Sequence, residues 1–310
     1  MSNIVFSIVI PTYNGGKTLG ELLSKLYSLR DNYNKEIIII DSGSQDSTIN
    51  IINKFKNQHK NLRFCQIKKE EFNHGKTRNL GVKLSKGKYV CFFSQDAIPR
   101  TTTIFTRYYH DFQIDHKVVA IFGKHIPYAN TPEYQKIEII CRWDLLDEYT
   151  DKSGLLIQGV HKPFIEYTEA SKYLWYALSN TSSAYKRKFL IENPFPHVTY
   201  GEDMFMGKKI IELGLIKIYD KKCAVTHSHS FSYFEYYFRE REDLKLRLND
   251  VRVKTPINII RKISLIFSKR DFLYILVNLS RLVLYYVIKF IILLSFFYES
   301  ITRRTQTKCR

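Results

Sequence analysis

Acidic residues are in short supply in this chain. Against 48 Lys and Arg stand only 30 Asp and Glu, leaving a formal net charge of +18 over 310 residues. Such an imbalance calls for an anionic partner: a nucleic acid, a phosphorylated substrate or a negatively charged membrane. Cysteine is sparse too. Cys65, Cys91, Cys141, Cys223 and Cys309 are scattered, odd in number and form no C-x-x-C pair. That argues against a disulfide framework and a zinc cage, and it suits a reducing compartment. The first turn, Pro11-Thr12-Tyr13-Asn14-Gly15-Gly16, lacks G-x-G-x-x-G, and no Walker A lysine motif occurs, so dinucleotide and P-loop sites are set aside. Nothing near the start resembles a signal peptide, because Phe6–Ile10 is too short for an h-region, and the catalytic part is expected in the cytosol. Solenoid repeats and low-complexity tracts are also missing.

What is present is an alternation of short apolar runs and helical periodicities. Phe6–Ile10 predicts a first strand, closed by Pro11 and a turn. Lys17–Ser28 carries Leu19, Leu22, Leu23 and Leu26 at helical spacing. Glu36–Ile40 holds four consecutive isoleucines, a strand buried on both faces that ends on Asp41. A polar loop, Ser42–Ser47, caps a helix to about Lys56, and Leu62–Ile67 is a third strand. Next come a helix to about Ser85 and the buried strand Tyr89–Phe93. This βαβαβαβ order predicts an α/β fold with a parallel sheet and helices on both faces. Further on, a helix over Thr102–Asp115, strands at Val118–Phe122 and Ser179–Tyr185, a helix after Asp203 stopped by Gly214, and two short strands, Ile216–Tyr219 and Ala224–Thr226, are expected. Tyr128–Tyr176 reads as an insertion over the sheet.

Polar loops fall at the carboxyl ends of the predicted strands: Thr12/Asn14, Asp41, Asp96 and His227–Ser230. In a parallel sheet those ends converge on one edge, where open α/β sheets bind ligands. Each has a bland alternative, since Asp and Asn favour caps and turns, and Asp96 alone would serve as an N-cap for the following helix. Glu202-Asp203, taken alone, would be a pair of helix N-terminal acids favoured by the dipole.

Composition changes after about Phe231. Phe231–Asn249 reads as a surface helix, and Tyr274–Phe297 is apolar enough in length to cross a bilayer. Asn278, Arg281, Tyr285 and Lys289, however, place polar groups on one stripe, and a mid-bilayer Arg or Lys costs about 3 kcal/mol or more. An interfacial, membrane-lying helix fits better than a span, with packing against the domain as a third reading. Lys269-Arg270 and Arg303-Arg304 would add attraction to anionic headgroups.

Several of these stretches together resemble one family. Ser7-Ile8-Val9-Ile10-Pro11-Thr12-Tyr13-Asn14 and Ile38-Ile39-Ile40-Asp41-Ser42-Gly43-Ser44-Gln45-Asp46-Ser47-Thr48 are similar to the opening of family 2 (GT-A fold) inverting glycosyltransferases. Phe72-Asn73-His74-Gly75-Lys76-Thr77-Arg78-Asn79-Leu80-Gly81, Ser94-Gln95-Asp96-Ala97-Ile98-Pro99, Gly201-Glu202-Asp203 and His227-Ser228-His229-Ser230 resemble its bacterial rhamnosyltransferase branch. The resemblance implies a GT-A-type, mostly parallel sheet in a nucleotide-sugar domain over 1–230, its nucleotide-binding half about 1–100 and its acceptor half about 101–230. A basic helical region, 231–310, would associate with the membrane.

The resemblance also implies roles. Thr12, Asn14 and Asp41, with Ser44 and Gln95, would bind the nucleotide sugar, Asp41 accepting N3–H of a pyrimidine. Lys76, Arg78 and Asn79 would lie near the pyrophosphate or ribose. Asp96 matches the last residue of the family's D-x-D motif and would hold Mg²⁺ or Mn²⁺, with His227 or His229 a further ligand; Ser94 replaces the first acid, which puts the metal dependence in question. Asp203 would be the base and Glu202 would orient the acceptor or Asp203. The implied activity is transfer of L-rhamnose from dTDP-rhamnose to a lipid-linked saccharide for O-antigen or capsule, by a peripheral enzyme on the cytoplasmic face of the membrane. A UDP-hexose donor (galactose, glucose or N-acetylglucosamine) is the alternative within the class, and an inactive membrane scaffold the alternative outside it. A nucleic-acid partner is not expected, because the basic excess is heaviest beside the apolar tail helix.

Overall fold

In the computed structural model of the chain, the residues described are 4–229 apart from 164, 169, 170 and 199, together with 231, 235, 238, 239, 283, 287 and 290. The first half matches the predicted alternation: β1 (Phe6–Thr12), α1 (Leu19–Ser28), β2 (Lys35–Asp41), α2 (Thr48–Gln58), β3 (Leu62–Gln66), α3 (His74–Leu84) and β4 (Tyr89–Phe93). Successive side chains of a strand point to opposite faces, and this builds two cores. Ile8 and Ile10 of β1, Ile37 and Ile39 of β2, and Cys91 and Phe93 of β4 pack under α1, against Leu19, Leu22, Leu23 and Leu26. Val9, Ile38, Ile40, Val90 and Phe92 face the other way, against Val82 of α3. The isoleucine run is therefore buried on both faces because both faces are covered.

The second half comprises β5 (Ile98–Pro99), α4 (Ile104–Asp111), β6 (Val118–Ile126), α5 (Glu133–Asp147), β7 (Leu155–Gln158), α6 (Lys172–Tyr176), β8 (Ser182–Lys186), α7 (Arg187–Glu192), α8 (Glu202–Glu212) and β9 (Ile216–Thr226). All strands join one sheet in the order β3-β2-β1-β4-β8-β6-β9-β5, with β7 also on β9. β3, β2, β1 and β4 run parallel, as does the β6–β9 pair, while β8 inserts antiparallel between β4 and β6. The carboxyl ends of β1, β2, β4, β6 and β9 consequently share one edge with the start of β8.

Several expectations change in detail. Ile216–Tyr219 and Ala224–Thr226 are one continuous strand, β9, bulged against β6 between the pairs Gly123↔Asp220 and His125↔Val225. A bulge keeps a strand paired while re-aiming the side chains beyond it. Here Gly123 is required, because a Cβ would collide with the Cys223 carbonyl. Ile98–Pro99, not expected as a strand, pairs with Thr226 and Val225, and Arg100 N–H reaches the Ala224 carbonyl at 3.0 Å. Asp96 is not a helix cap, since α4 begins at Ile104 behind Thr103. The blurred segment 128–176 resolves into α5, β7 and α6, and the strand expected from Ser179 starts only at Ser182.

Among the described residues, no helix is long and apolar enough to cross a membrane. Ser230, the surface helix expected over 231–249 and the amphipathic stretch expected over 274–297 lie outside the described residues, apart from single positions within them.

Candidate active site

The loops at the shared edge are tied to one another by their own polar groups. Asp41, fully buried at the end of β2, accepts from the backbone N–H groups of Gly43 and Ser44 at 3.0 Å each and from the Ser44 hydroxyl. Ser44 Oγ in turn receives the Asn14 N–H at 2.8 Å, and Asn14 Oδ1 receives the Gln45 N–H at 2.9 Å. Asn14 sits at φ 48°, a left-handed conformation that asparagine tolerates better than most residues. Thr12, buried at the end of β1, offers its carbonyl to the N–H and hydroxyl of Ser42. Gln95 clamps the peptide of Tyr13 from both sides, Oε1 to N–H at 3.0 Å and Nε2 to the carbonyl at 2.9 Å. Thr12, Asn14, Asp41, Ser44 and Gln95 are thus one interlocked set of loops, and the Asp41 carboxylate is spent largely on shaping them.

Asp96 stands in the turn after β4, behind Ser94 and Gln95. Its Oδ1 lies 3.4 Å from His227 Nε2 and its Oδ2 3.6 Å from His229 Nδ1. The three offer ligand atoms within 4.8 Å of one another. His227 Nε2 is buried, yet the contact with Asp96 lacks hydrogen-bond alignment, so a buried imidazole nitrogen faces a carboxylate without a bond between them. One carboxylate and two imidazoles that converge without satisfying one another fit a divalent cation, and imidazole donors favour Mn²⁺ over Mg²⁺. Burial works to raise the Asp96 carboxyl, but the two histidines outweigh it and hold it below its ordinary value. His229 is pushed down to about 4 by burial and by His227. The bulge after Gly123 brings a third imidazole alongside: His125 lies 5.1 Å from His227 ring to ring and 4.3 Å from Trp143. Tyr128 closes the far side, its hydroxyl donating to the Asp96 carbonyl at 2.8 Å. Sequence reasoning missed both His125 and Tyr128, since neither stands in a polar motif.

α8 starts at Gly201, whose φ of 76° suits glycine, and its first two residues are Glu202 and Asp203. Glu202 is buried against Arg78: Nη1 to Oε1 is 3.0 Å. Burial would raise Glu202, but Arg78, His74 and the Asn180 amide reverse this and lower it. Asp203 shifts the opposite way, raised to about 7 by burial first and then by the charge of Glu202. The Asn180 N–H reaches Asp203 Oδ2 at 3.3 Å, and the N–H of Met204 reaches Oδ1 at 2.8 Å.

The same region sets the placement of α3. Asn73 caps the helix through the N–H groups of Gly75 and Lys76 while its Nδ2 donates to the Val198 carbonyl. Asn79 exchanges both of its amide groups with the Phe195 peptide at 2.9 Å. A Cβ on Gly75 would collide with the Pro196 carbonyl. Arg78 and Asn79 therefore serve the α8 side of the site. The loop 195–198 engages Asn79, and Glu202 engages Arg78, contacts that the sequence did not show. Lys76 is exposed on the first turn of α3.

A cavity of about 360 Å³ joins these parts. Asp203 and Arg78 line it with His227 and His229, and α5 contributes Trp143 and Arg142. The arrangement is a trio with the donor set of a cation site at one end and a half-buried carboxyl with a raised proton affinity along the wall.

Comparison with known proteins bears on the family and the fold. The chain is 28% identical over 229 residues to the O-antigen chain rhamnosyltransferase RfbN of Salmonella typhimurium, covering 73% of this chain and 67% of that protein. A 93-residue stretch, 29% of this chain and 28% of the relative, is 39% identical to the poly(ribitol-phosphate) beta-N-acetylglucosaminyltransferase TarP of Staphylococcus aureus. Among solved structures, the mannosyltransferase PcManGT of Pyrobaculum calidifontis, in complex with GDP-Man and Mn²⁺, superposes with a TM-score of 0.58 at 15% identity, covering 93% of this chain and 82% of that one. The TarS structure from S. aureus with UDP-GlcNAc gives 0.53 at 21% identity, over 84% and 70% of the two chains. Residues 7–191 match the Glycosyl transferase family 2 model, and this chain is a glycosyltransferase that belongs to that family.

Proposed function

We propose that the protein moves L-rhamnose from dTDP-rhamnose, with inversion, onto a lipid-linked saccharide in the making of O-antigen or another cell-surface polysaccharide. The observation that carries the reaction type is the shared cavity: Asp203, raised to about 7, lines the same space as His227 and His229, the two imidazoles that face Asp96. The likeness to RfbN supports the choice of sugar and pathway.

In this reading the nucleotide lies over the interlocked loops of Thr12, Asn14, Asp41, Ser44 and Gln95, with Lys76 as a nearby charge. Asp96, His227 and His229 would hold Mn²⁺ or Mg²⁺. That cation would neutralise the leaving diphosphate. Asp203 takes the proton from an acceptor hydroxyl as its oxygen bonds to the anomeric carbon. The bond from that carbon to the diphosphate oxygen breaks, and its electron pair leaves with the nucleoside diphosphate. A single displacement inverts the anomeric centre and needs no covalent nucleophile. Glu202 stays ionised against Arg78 and keeps Asp203 basic. The acceptor enters between α5 and Gly201. The basic, amphipathic region beyond 231 would carry the enzyme to the cytoplasmic face of the membrane, where a lipid-linked acceptor resides. The nucleotide-binding half would run to about residue 100 and the acceptor half from there to about 230.

A UDP-linked donor is the second reading, favoured by the likeness to TarP, an N-acetylglucosaminyltransferase. A donor panel separates the two: dTDP-rhamnose, UDP-N-acetylglucosamine, UDP-glucose and UDP-galactose, each with Mn²⁺, Mg²⁺ or neither. Release of dTDP above all others supports rhamnose, release of UDP supports the second reading, and no turnover of any of the four removes both donor readings.

A further inference from the structure

Two adjacent acids at a helix start are chemically alike, and something must assign them different work. Asn180, 1% exposed in the turn before β8, touches both. Its Oδ1 accepts from the Tyr185 hydroxyl at 2.8 Å and from the Ser183 hydroxyl at 3.1 Å. Its Nδ2 donates to Glu202 Oε1 at 3.1 Å, the same oxygen that faces Arg78. The flipped amide would set a carbonyl oxygen against a carboxylate, so this orientation is fixed. Meanwhile the backbone N–H of Asn180 points at Asp203 Oδ2. One residue thus gives its side-chain donor to one acid and its backbone donor to the other.

We propose that Asn180 is the positioning residue that divides labour between the two acids, holding Glu202 as the ionised partner of Arg78 and leaving Asp203 as the proton acceptor. The inference rests on the reading of Asp203 as base. A donor aimed at a carboxylate favours its charged form and screens that charge from its neighbour. Removing it leaves the pair less able to carry negative charge, so a proton on Asp203 is held more tightly. The other titratable groups around the pair are Arg78 and His74 from α3, Tyr185 from β8, Glu138 and Arg142 from α5, and Arg239. None of them bonds to both acids as Asn180 does.

The test uses the full chain and two variants. Asn180→Ala removes the side-chain donor but keeps the backbone N–H; Tyr185→Phe keeps Asn180 and removes one of the two groups that orient it. Carbon-13 NMR of labelled aspartate carboxyls, with Asp203 assigned from an Asp203→Asn spectrum, tracks its titration without substrate. In parallel, the pH profile of dTDP release from dTDP-rhamnose is recorded. In Asn180→Ala the Asp203 midpoint should rise by on the order of half a pH unit, with the acid limb of kcat/KM moving alike. The kcat should fall about tenfold while KM for the donor holds. Tyr185→Phe should shift both in the same direction by less, and it decides the matter alone if Asn180→Ala does not fold. Unmoved midpoints in both variants, or a loss of thermal stability with the profile unchanged, would overturn the proposal. If Asp203→Asn itself turns over normally, the base reading fails, while the NMR shift still reports on Asn180.

Discussion

Arg78 and Glu202 face each other at 3.0 Å, with side-chain exposures of 8% and 6%, and they join α3 to α8 across the floor of the cavity. The pair gives the first turns of α3 a second task, holding the start of α8. Arg78 also lies 5.8 Å from the Phe92 ring of the central strand, so Glu202 is braced against the sheet through one guanidinium.

Breaking that pair should be costly. Arg78→Met leaves Glu202 buried without its counter-ion, and chemical denaturation should show a loss of about 3–5 kcal/mol at neutral pH. The lowered Glu202 sets the sign with pH. Its contribution is fully present above the unfolded carboxylate value of about 4.3 and is lost as pH falls through the folded value. The gap between wild type and variant should therefore shrink on acidification; a gap that widened would contradict the pairing.

The donor set of Asp96, His227 and His229 makes a prediction about metal choice. Two imidazoles and one carboxylate should bind Mn²⁺ more tightly than Mg²⁺, measured by Mn²⁺ electron paramagnetic resonance in competition with Mg²⁺. Asp96→Asn and His227→Ala should each weaken Mn²⁺ binding by about tenfold or more. Equal affinity in wild type and both variants would place the metal elsewhere.

The raised Asp203 predicts the pH dependence of the free enzyme. A base works only when ionised, so kcat/KM should rise as pH climbs through about 7 and flatten above it. A profile already flat from pH 5 would mean that the ionisation lies elsewhere.

Gly123 links the fold to the histidine end of the cavity. Gly123→Ala forces a methyl against the Cys223 carbonyl and must shift the bulge from which His125 and His227 emerge. Thermal unfolding should show a loss of about 1–3 kcal/mol, and Mn²⁺ affinity should fall with it. Unchanged affinity at lowered stability would separate the bulge from the site.

Much of the fold was legible in the sequence because it is local. The strands β1, β2 and β4 announce themselves by apolar runs, and the polar residues after them fall on one edge once the sheet is parallel. Asp96, His227 and His229 could be grouped for the same reason. Partnerships across long separations were not legible. Arg78 and Glu202 lie in different halves of the chain, and only the packing of α3 on the loop 195–198 brings them together. Asn180 was hidden differently: a polar Ser179-Asn180-Thr181 run reads as the beginning of a strand, and only its hydrogen bonds distinguish it. The join of Ile216–Tyr219 to Ala224–Thr226 was obscured by charged residues, Asp220, Lys221 and Lys222, that occupy the bulge.

The central claim, that Asp203 takes the acceptor proton, is tested most directly by Asp203→Asn. The variant keeps the size of the side chain and removes the base. Measured beside wild type with the donor chosen by the panel, transfer should fall by about 10²–10⁴-fold while binding of that donor, measured by calorimetry, stays within a few-fold of wild type. Transfer at the wild-type rate with donor binding intact would contradict the account.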